Sequence, residues 1–248
     1  MTTQEFHASH PFRTAPYHDA DTELGGLTVP YAGQTRMRLT ITSGMADARV
    51  RIDRDATDLI AITHGEGIPP RLRVSSSELR LSWPATIGSW LRAALSGESR
   101  DLEIVLHPAA EWTLQIRGGL SHFEADLAAG KLARLEISGG VSDARFDLPT
   151  PVGVVPIRIS GGASDLSLRR PAAVGVAVAV SGGISRLRLD DQGFDAIGGG
   201  ARLASGPIHG DTPRYALEIN GGAKSPIGIG HAVERDSEAL DSLGFSGT

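Results

Sequence analysis

The sequence predicts an all-β protein: a single-chain, β-helix-like β-solenoid that carries one short inserted helix. Two observations predict this fold. A phrase of alternating apolar residues ending in Gly-Gly recurs along the chain, and the alternation resumes after each glycine pair. Alternation with a period of two is typical of strands that bury one face. Recurrence at a fixed spacing is typical of stacked coils, because a single short coil cannot bury its own apolar face.

The glycine pairs mark the corners of the predicted coils. Second glycines stand at positions 119, 140, 162 and 183, which are 21, 22 and 21 residues apart, and a further copy ends at position 222. Glycine permits positive φ and close approach of two backbones, and a corner shared by every coil needs one or the other. The predicted structural turn glycines are Gly118, Gly119, Gly139, Gly140, Gly161, Gly162, Gly182, Gly183, Gly221 and Gly222.

Aliphatic residues occupy the same positions in each copy of the phrase. The positions two and four residues before each glycine pair are apolar in all copies, as is the position directly after the pair. Two further columns break only in the last copy, at Pro226 and Gly228. These columns predict a continuous interior of small aliphatic side chains, which suits a chain with 5% aromatic residues and 31 glycines.

Two segments interrupt the predicted solenoid, which spans residues 31–230 between an extended N-terminal arm (1–30) and an acidic C-terminal tail (231–248). In residues 84–99, apolar residues recur at helical spacing up to Gly97, which predicts a short inserted helix. A helix packed on the sheet or over an open end is favoured over a docking or membrane-surface helix, because Arg92 is its only cation. Residues 192–215 are predicted to form an irregular coil or long loop.

Composition narrows the function classes. The 248-residue chain has a net charge of −5 and no cysteine. Nucleic acid is therefore not an expected partner, and disulfides, cysteine-ligated metals and thiol nucleophiles are excluded. No apolar stretch reaches the length of a membrane span, and the first residues lack the apolar core of a secretory signal. We therefore expect a cytoplasmic protein without a membrane span.

The chain carries no recognisable catalytic or cofactor motif. Metalloprotease, phosphate-loop, dinucleotide and nucleophile-elbow signatures are all missing from the sequence. Asp47, Asp143 and Asp165 share a column after the glycines, which raises the question of calcium. Two observations favour exposed polar turn residues over a calcium site. The repeat period of 21–22 residues is longer than the nine residues of calcium-binding β-helix repeats, and other copies carry a different residue in this column, such as His122, where a row of calcium ligands needs oxygen donors. We predict no catalytic residue, no cofactor and no metal site.

The segments DLEIVLHPAAEWTLQIRGGLSHFEADL (101–127) and LARLEISGGVSDARFDLPTP (132–151) resemble the bacterial DUF4097 "putative adhesin" family and the related toastrack domains. The resemblance covers about residues 37 to 230 and rests on the strand pattern and the glycines. It implies an all-β, solenoid-like domain, in many members attached to the membrane or cell surface and in some linked to envelope stress. The SGGxS spelling within Ala- and Arg-rich strands also looks actinobacterial. The resemblance supplies no catalytic residues.

Two hypotheses for function follow from this. The first is a non-enzymatic scaffold or protein-interaction module, able to self-associate end to end or through a sheet edge, because the ends of a solenoid expose unpaired backbone unless they are capped. The second is a glycan- or small-molecule-binding protein, or an enzyme, with its site on one solenoid face near the 84–99 insertion. The candidate surface for a ligand or partner is Trp83, Trp90, Leu91 and Arg92.

Overall fold

The computed structural model describes residues 26–65, 69–83, 102–222 and 226–232, and within these ranges every regular element is a β-strand. The strands are β1 (Leu27–Pro30), β2 (Arg36–Ile41), β3 (Met45–Ile52), β4 (Asp58–His64), β5 (Arg71–Val74), β6 (Glu78–Ser82), β7 (Leu102–Leu106), β8 (Glu111–Arg117), β9 (Leu120–Asp126), β10 (Lys131–Ser138), β11 (Val141–Asp147), β12 (Val154–Ser160), β13 (Ala163–Arg170), β14 (Gly175–Val180), β15 (Leu187–Leu189), β16 (Gln192–Phe194), β17 (Ala201–Ser205), β18 (Arg214–Asn220) and β19 (Ile227–His231). The helix predicted over 84–99 lies outside the described residues.

The strands form two sheets. Sheet A has the order β1-β4-β7-β3-β9-β11-β13-β19-β15-β16, and sheet B has the order β17-β14-β18-β12-β10-β8-β2-β6-β5. In each sheet the central strands are parallel, and the strands at both ends are antiparallel to their neighbours. A strand of sheet B is followed, after its glycine corner, by a strand of sheet A; we call such a pair of strands a unit. The all-β prediction is confirmed.

The predicted aliphatic columns form the core between the two sheets. In the columns before the glycine pairs every residue is at most 4% exposed. The last copy departs from the pattern because it carries one more residue after its glycines. Ile227 takes the place in the core that the pattern assigns to Pro226, and it pairs with Leu166. Ile229 likewise takes the place of Gly228, and both isoleucines are buried. The core therefore stays continuous through the copy in which the sequence pattern breaks.

The two glycines of a pair have different structural tasks. The first glycine has positive φ in four of the pairs, and a methyl group there would collide with the backbone of the neighbouring corner. At Gly139, for example, the methyl would meet the carbonyl of Gly118. The second glycine has ordinary space around it, and a methyl at Gly140 would meet nothing within 4 Å. The first glycine therefore sets how closely the corners stack.

The units are not stacked in the order in which they occur along the chain. Unit β18–β19, the last one described, lies between β12–β13 and β14–β15, and its strands run parallel to both neighbours. The glycines follow the same order, because Gly221 packs against Gly161 on one side and against Gly182 on the other. A regular spacing along the sequence predicts that neighbouring copies stack on one another, and here the final copy separates two that are consecutive in sequence.

The stretch 192–215, predicted as an irregular coil or long loop, contains two strands and the first two residues of β18. β16 turns back antiparallel on β15, and β17 lies antiparallel on β14. These two strands are the edges of sheets A and B at this end of the stack. The opposite end is covered in the same way by β1 and β4 in sheet A and by β5 in sheet B. Alternation in these strands is too short to stand out in the sequence, and pairing with a neighbour stabilises them.

A buried ion pair fastens the C-terminal end of the stack. Arg170 is 1% exposed, and its guanidinium donates two 2.8 Å hydrogen bonds to the carboxylate of Asp190 and a third to the carbonyl of Val174. The imidazole of His231 lies 3.4 Å from the same carboxylate. These residues come from the ends of β13 and β19 and from the turn after β15, so the cluster joins three strands that are neighbours in sheet A.

The Arg170–Asp190 pair predicts a loss of stability in acid. Hydrogen bonding from Arg170 lowers the pKa of Asp190 to about 2, against the opposing effect of burial. Because the pKa is depressed in the folded state, the stabilisation is complete above the unfolded value of 3.8 and is lost as the pH falls towards 2. We expect about 2 kcal/mol to disappear between about pH 5 and pH 2. Urea unfolding across this range should show a smaller pH dependence for Asp190→Asn than for the unmodified chain; equal slopes would contradict the prediction.

Candidate functional site

The structure describes one member of the predicted ligand surface. Trp83 follows β6, packs partly buried against the core, and its backbone N–H donates to Ser43 Oγ at 3.3 Å. Trp90, Leu91 and Arg92 lie outside the described residues. Trp83 is therefore positioned by core packing beside the corner of the first repeat, and whether the four residues form one surface stays a prediction.

The outer face of sheet A carries cross-strand ion pairs. Arg49 on β3 donates two hydrogen bonds to Glu124 on β9, at 3.1 and 2.8 Å. Arg169 on β13 makes a two-point contact with Asp147 at the end of β11, at 2.6 and 2.9 Å. These contacts follow from the alternation of the strands, which places every second side chain outside and opposite a partner on the next strand. The face is thus charged with both signs interspersed.

A column of left-handed residues borders this face next to the glycine corners. Asp47, His122, Asp143 and Asp165 have φ values between 48° and 53°, and they lie on four consecutive strands of sheet A. Each is an extra residue that the strand register skips, as Asp143 and Asp165 show between β11 and β13. Because all four strands bulge at the same place, their pairing stays in register beyond the bulge. Aspartate and histidine are among the residues that tolerate this conformation.

Asp47, His122 and Asp143 of this column form one border of a groove of about 770 Å³. His122 stands between two carboxylates: its Nδ1 is 3.4 Å from Asp47 Oδ1 and its Nε2 is 3.7 Å from Asp143 Oδ2. On the other side the groove is lined by His64 of β4 and Leu102 of β7. Leu102 is the first described residue after the predicted 84–99 insertion, so the groove is close in sequence to the segment near which a ligand site is predicted.

The groove combines carboxylates, guanidiniums and imidazoles without the geometry of a metal centre. Within the described ranges, no three His, Cys, Asp or Glu side chains converge closely enough to hold a metal ion. Arg49 and Glu103, which also line the groove, are each engaged in an ion pair. Such a site can offer hydrogen bonds and charge to a ligand. Its lining includes no tryptophan from the described part of the chain.

Comparison with known proteins finds a similarity in structure and none in sequence family. No family model matches the chain, and no curated protein matches it. A solved structure from Clostridium sporogenes, described as a "putative cell adhesion protein", is similar with a TM-score of 0.61. The alignment covers 84% of this chain and 98% of that chain at 17% sequence identity. At this identity the similarity is one of fold alone.

The similarity to the Clostridium structure agrees with the all-β, repeat-like architecture. Membership of the family that the sequence resembles stays a prediction. Within the described ranges, no helix has the length and apolar character that a membrane span requires.

The sequence does not predict the groove, although it singles out Asp47, His122 and Asp143 from its lining. The sequence predicts exposed polar turn residues at Asp47, Asp143 and Asp165. All three are exposed, but they lie within strands as bulged residues and not in turns, because each strand begins directly after its glycine corner. The sequence feature that relates to the groove is His122, which stands in the same column as the aspartates. The strands that carry Asp47, His122 and Asp143 are direct neighbours in sheet A. The sequence order, in which 75 residues separate Asp47 from His122, conceals that adjacency.

Proposed function

We propose that this chain is a non-enzymatic β-solenoid that acts as a protein-interaction module connected with the bacterial cell envelope. The observation that carries the proposal is a continuous stack of units with antiparallel strands at both ends and a patterned, charged outer face. Rigid faces of this kind are what repeat proteins use to bind partners. The description of the Clostridium structure as a putative cell adhesion protein is consistent with this class of function.

The ends of the stack offer little support for the end-to-end association that the sequence suggested. The terminal strands have three to five residues. Arg71 and Arg73 are exposed on β5, and Arg202 is exposed on β17. Short edges with outward cations discourage pairing with another edge. We therefore place the partner contact on the outer face of sheet A, next to the groove.

Exchanging the two charges of one ion pair tests this assignment. The variant Arg49→Glu with Glu124→Arg keeps an ion pair and the net charge but inverts the two charges at this place on sheet A. The matched control is Arg158→Glu with Glu218→Arg on sheet B, where the pair is also exposed, cross-strand and 2.8 Å long. We expect the sheet A variant to lose about tenfold or more in affinity for the partner, and the control to retain it.

The measurement is quantitative retention of envelope proteins from the source bacterium on the immobilised chain, read by mass spectrometry. A protein retained by the wild-type chain and by the sheet B variant, but not by the sheet A variant, supports the proposal. Equal retention by both variants contradicts the assignment to sheet A. Failure of the wild-type chain to retain any protein above a blank support contradicts the interaction module itself.

The second candidate function is binding of a glycan or small molecule, or catalysis on one, and the groove beside Leu102 is the observation that favours it. Its mixture of carboxylates, guanidiniums and imidazoles suits hydroxyl-rich ligands. The same variants separate this candidate from the first. Retention of envelope polysaccharide in place of protein, abolished by the sheet A exchange, would favour the second function.

A further inference from the structure

The C-terminal unit β18–β19 occupies a slot inside the stack. It pairs in parallel with β12 and β14 in sheet B, and with β13 and β15 in sheet A. Its hydrophobic side chains, such as Tyr215, Leu217 and Ile229, are buried. All the pairing of its strands is with other units, so it depends on those units for its structure.

Among the described strands, β18 and β19 connect the block 175–205, which contains β14 to β17, with the rest of the stack. No strand of the block 175–205 pairs with a strand on the far side of the slot; β14 pairs with β18 and β17, and β15 pairs with β19 and β16. Other described connections across the slot include the covalent chain between β13 and β14 and the hydrogen-bonded ion pair of Arg170 with Asp190. The last unit therefore holds the block to the body of the stack.

The chain reaches the slot by a surface crossing. β17 ends at Ser205, which lies opposite Val176 near the start of β14, and β18 begins at Arg214, on the other side of that start. Residues 206–213 therefore pass over the N-terminal end of β14 and span two strand spacings, about 10 Å. A methyl group at Gly175 would collide with the carbonyl of Pro207, which places the crossing directly on this strand end. Residues 206–211 are all exposed.

From this topology we propose that the C-terminal unit exchanges between two copies of the chain, and that this exchange is the route by which the protein self-associates. The partner is a second copy, and the binding surface is the slot between β12–β13 and β14–β15. The exchanged dimer keeps every strand pair and every corner contact, and only the crossing at 206–213 changes its path. The monomer and the exchanged dimer therefore contain nearly the same contacts, and protein concentration mainly decides which of them is populated, as expected for exchange of an identical element.

The order of the chain favours the exchange kinetically. The copies that end at Gly162 and Gly183 are spaced like the neighbouring copies before them. Before β18–β19 arrives, β14–β15 can dock on β12–β13 directly. Insertion then requires that contact to open, and in that interval the unit of a second copy competes with the chain's own. The proposal is independent of the partner contact on sheet A.

Disulfide trapping tests the exchange, because the natural chain contains no cysteine. Ala177 on β14 and Ala216 on β18 are paired in register, and both are half-buried on the outer side of sheet B. One chain carries Ala177→Cys and a second carries Ala216→Cys. The two are mixed unfolded, refolded together at high concentration and oxidised. About half of the exchanged dimers should contain unlike chains and form a disulfide.

The matched control places Gln115→Cys and Glu136→Cys on separate chains. These residues are also an in-register pair on the outer side of sheet B, between β8 and β10, which exchange of the last unit leaves within one chain. We expect at least tenfold more disulfide-linked dimer from the 177/216 mixture than from the control. A single chain with both Ala177→Cys and Ala216→Cys should form an internal disulfide, which verifies the geometry.

A shortened crossing gives a second, independent readout. Deleting residues 207–212 leaves two residues to span about 10 Å around the strand end, close to their full extension, so the path within one chain becomes strained. Light scattering should then show a dimer fraction raised several-fold. The proposal is overturned if the internal disulfide forms readily while the 177/216 mixture gives no more dimer than the control. It is also overturned if the shortened chain folds as a monomer at all concentrations.

Discussion

Replacing Gly139 with alanine is expected to destabilise the protein by about 3 kcal/mol or more. Gly139 has a φ of 136°, and an alanine methyl would collide with the carbonyl of Gly118 in the next corner. The corner cannot move away freely, because the N–H of Gly139 donates to the carbonyl of Ser160 on the other side at 2.9 Å. Both the unfavourable backbone conformation and the collision act against the folded state. The measurement is the urea midpoint, with the slope of the transition checked for constancy.

Gly140→Ala is the matched control, one residue away. A methyl there meets nothing within 4 Å, and the position has no positive φ. Its stability should stay within about 0.5 kcal/mol of wild type or rise slightly, because alanine reduces the entropy of the unfolded chain. If the two variants lost equal stability, the distinction between the first and second glycine of each pair would be wrong.

Replacing Arg170 with methionine is expected to cost about 3–5 kcal/mol. The substitution keeps much of the side-chain volume but leaves the carboxylate of Asp190, 11% exposed, without the guanidinium that donates two hydrogen bonds to it. It also removes the donor to the Val174 carbonyl. The cost arises chiefly from an uncompensated buried charge, so adding Asp190→Asn should recover part of it. Chemical unfolding of the two single variants and the double variant forms a complete mutant cycle.

Arg188→Met is the control for the loss of a cation from the same end of sheet A. Arg188 is exposed on β15, two residues before Asp190, and its replacement should change stability by less than about 0.5 kcal/mol. A small effect for Arg170→Met, comparable with that of Arg188→Met, would show that the buried pair does not fasten the end of the stack.

Much of the architecture could be predicted from periodicity alone. A period of two places Leu39, Leu114 and Leu135 in the core without any knowledge of neighbours, and the same alternation predicts that Arg49 and Glu124 face outward. These are local properties, since a strand must bury one face wherever it is placed. The acidic residues after the glycines were likewise correctly interpreted as exposed, because their place after a corner is also local.

The groove and the ion pairs depend on which strands are neighbours, and sequence spacing does not determine this. His122 contacts Asp47 because β9 lies beside β3, although 74 residues, with five strands in their described part, intervene along the chain. Arg170 meets Asp190 by a similar route, across the inserted strand β19. Long-range pairing of this kind is set by the total burial and hydrogen bonding of the whole stack, which no single repeat contains.

By itself, then, the sequence determined the all-β class, the aliphatic interior and the positions of the corners, because each follows from the alternation and from glycine within one repeat. The tertiary structure alone decided the order of the units, the edge strands in 192–215 and the separate tasks of the paired glycines. Every unit presents nearly the same apolar pattern and corner, so any unit can stack on any other as far as the pattern is concerned. The choice among these arrangements is made by contacts between distant segments, such as Gly221 between Gly161 and Gly182.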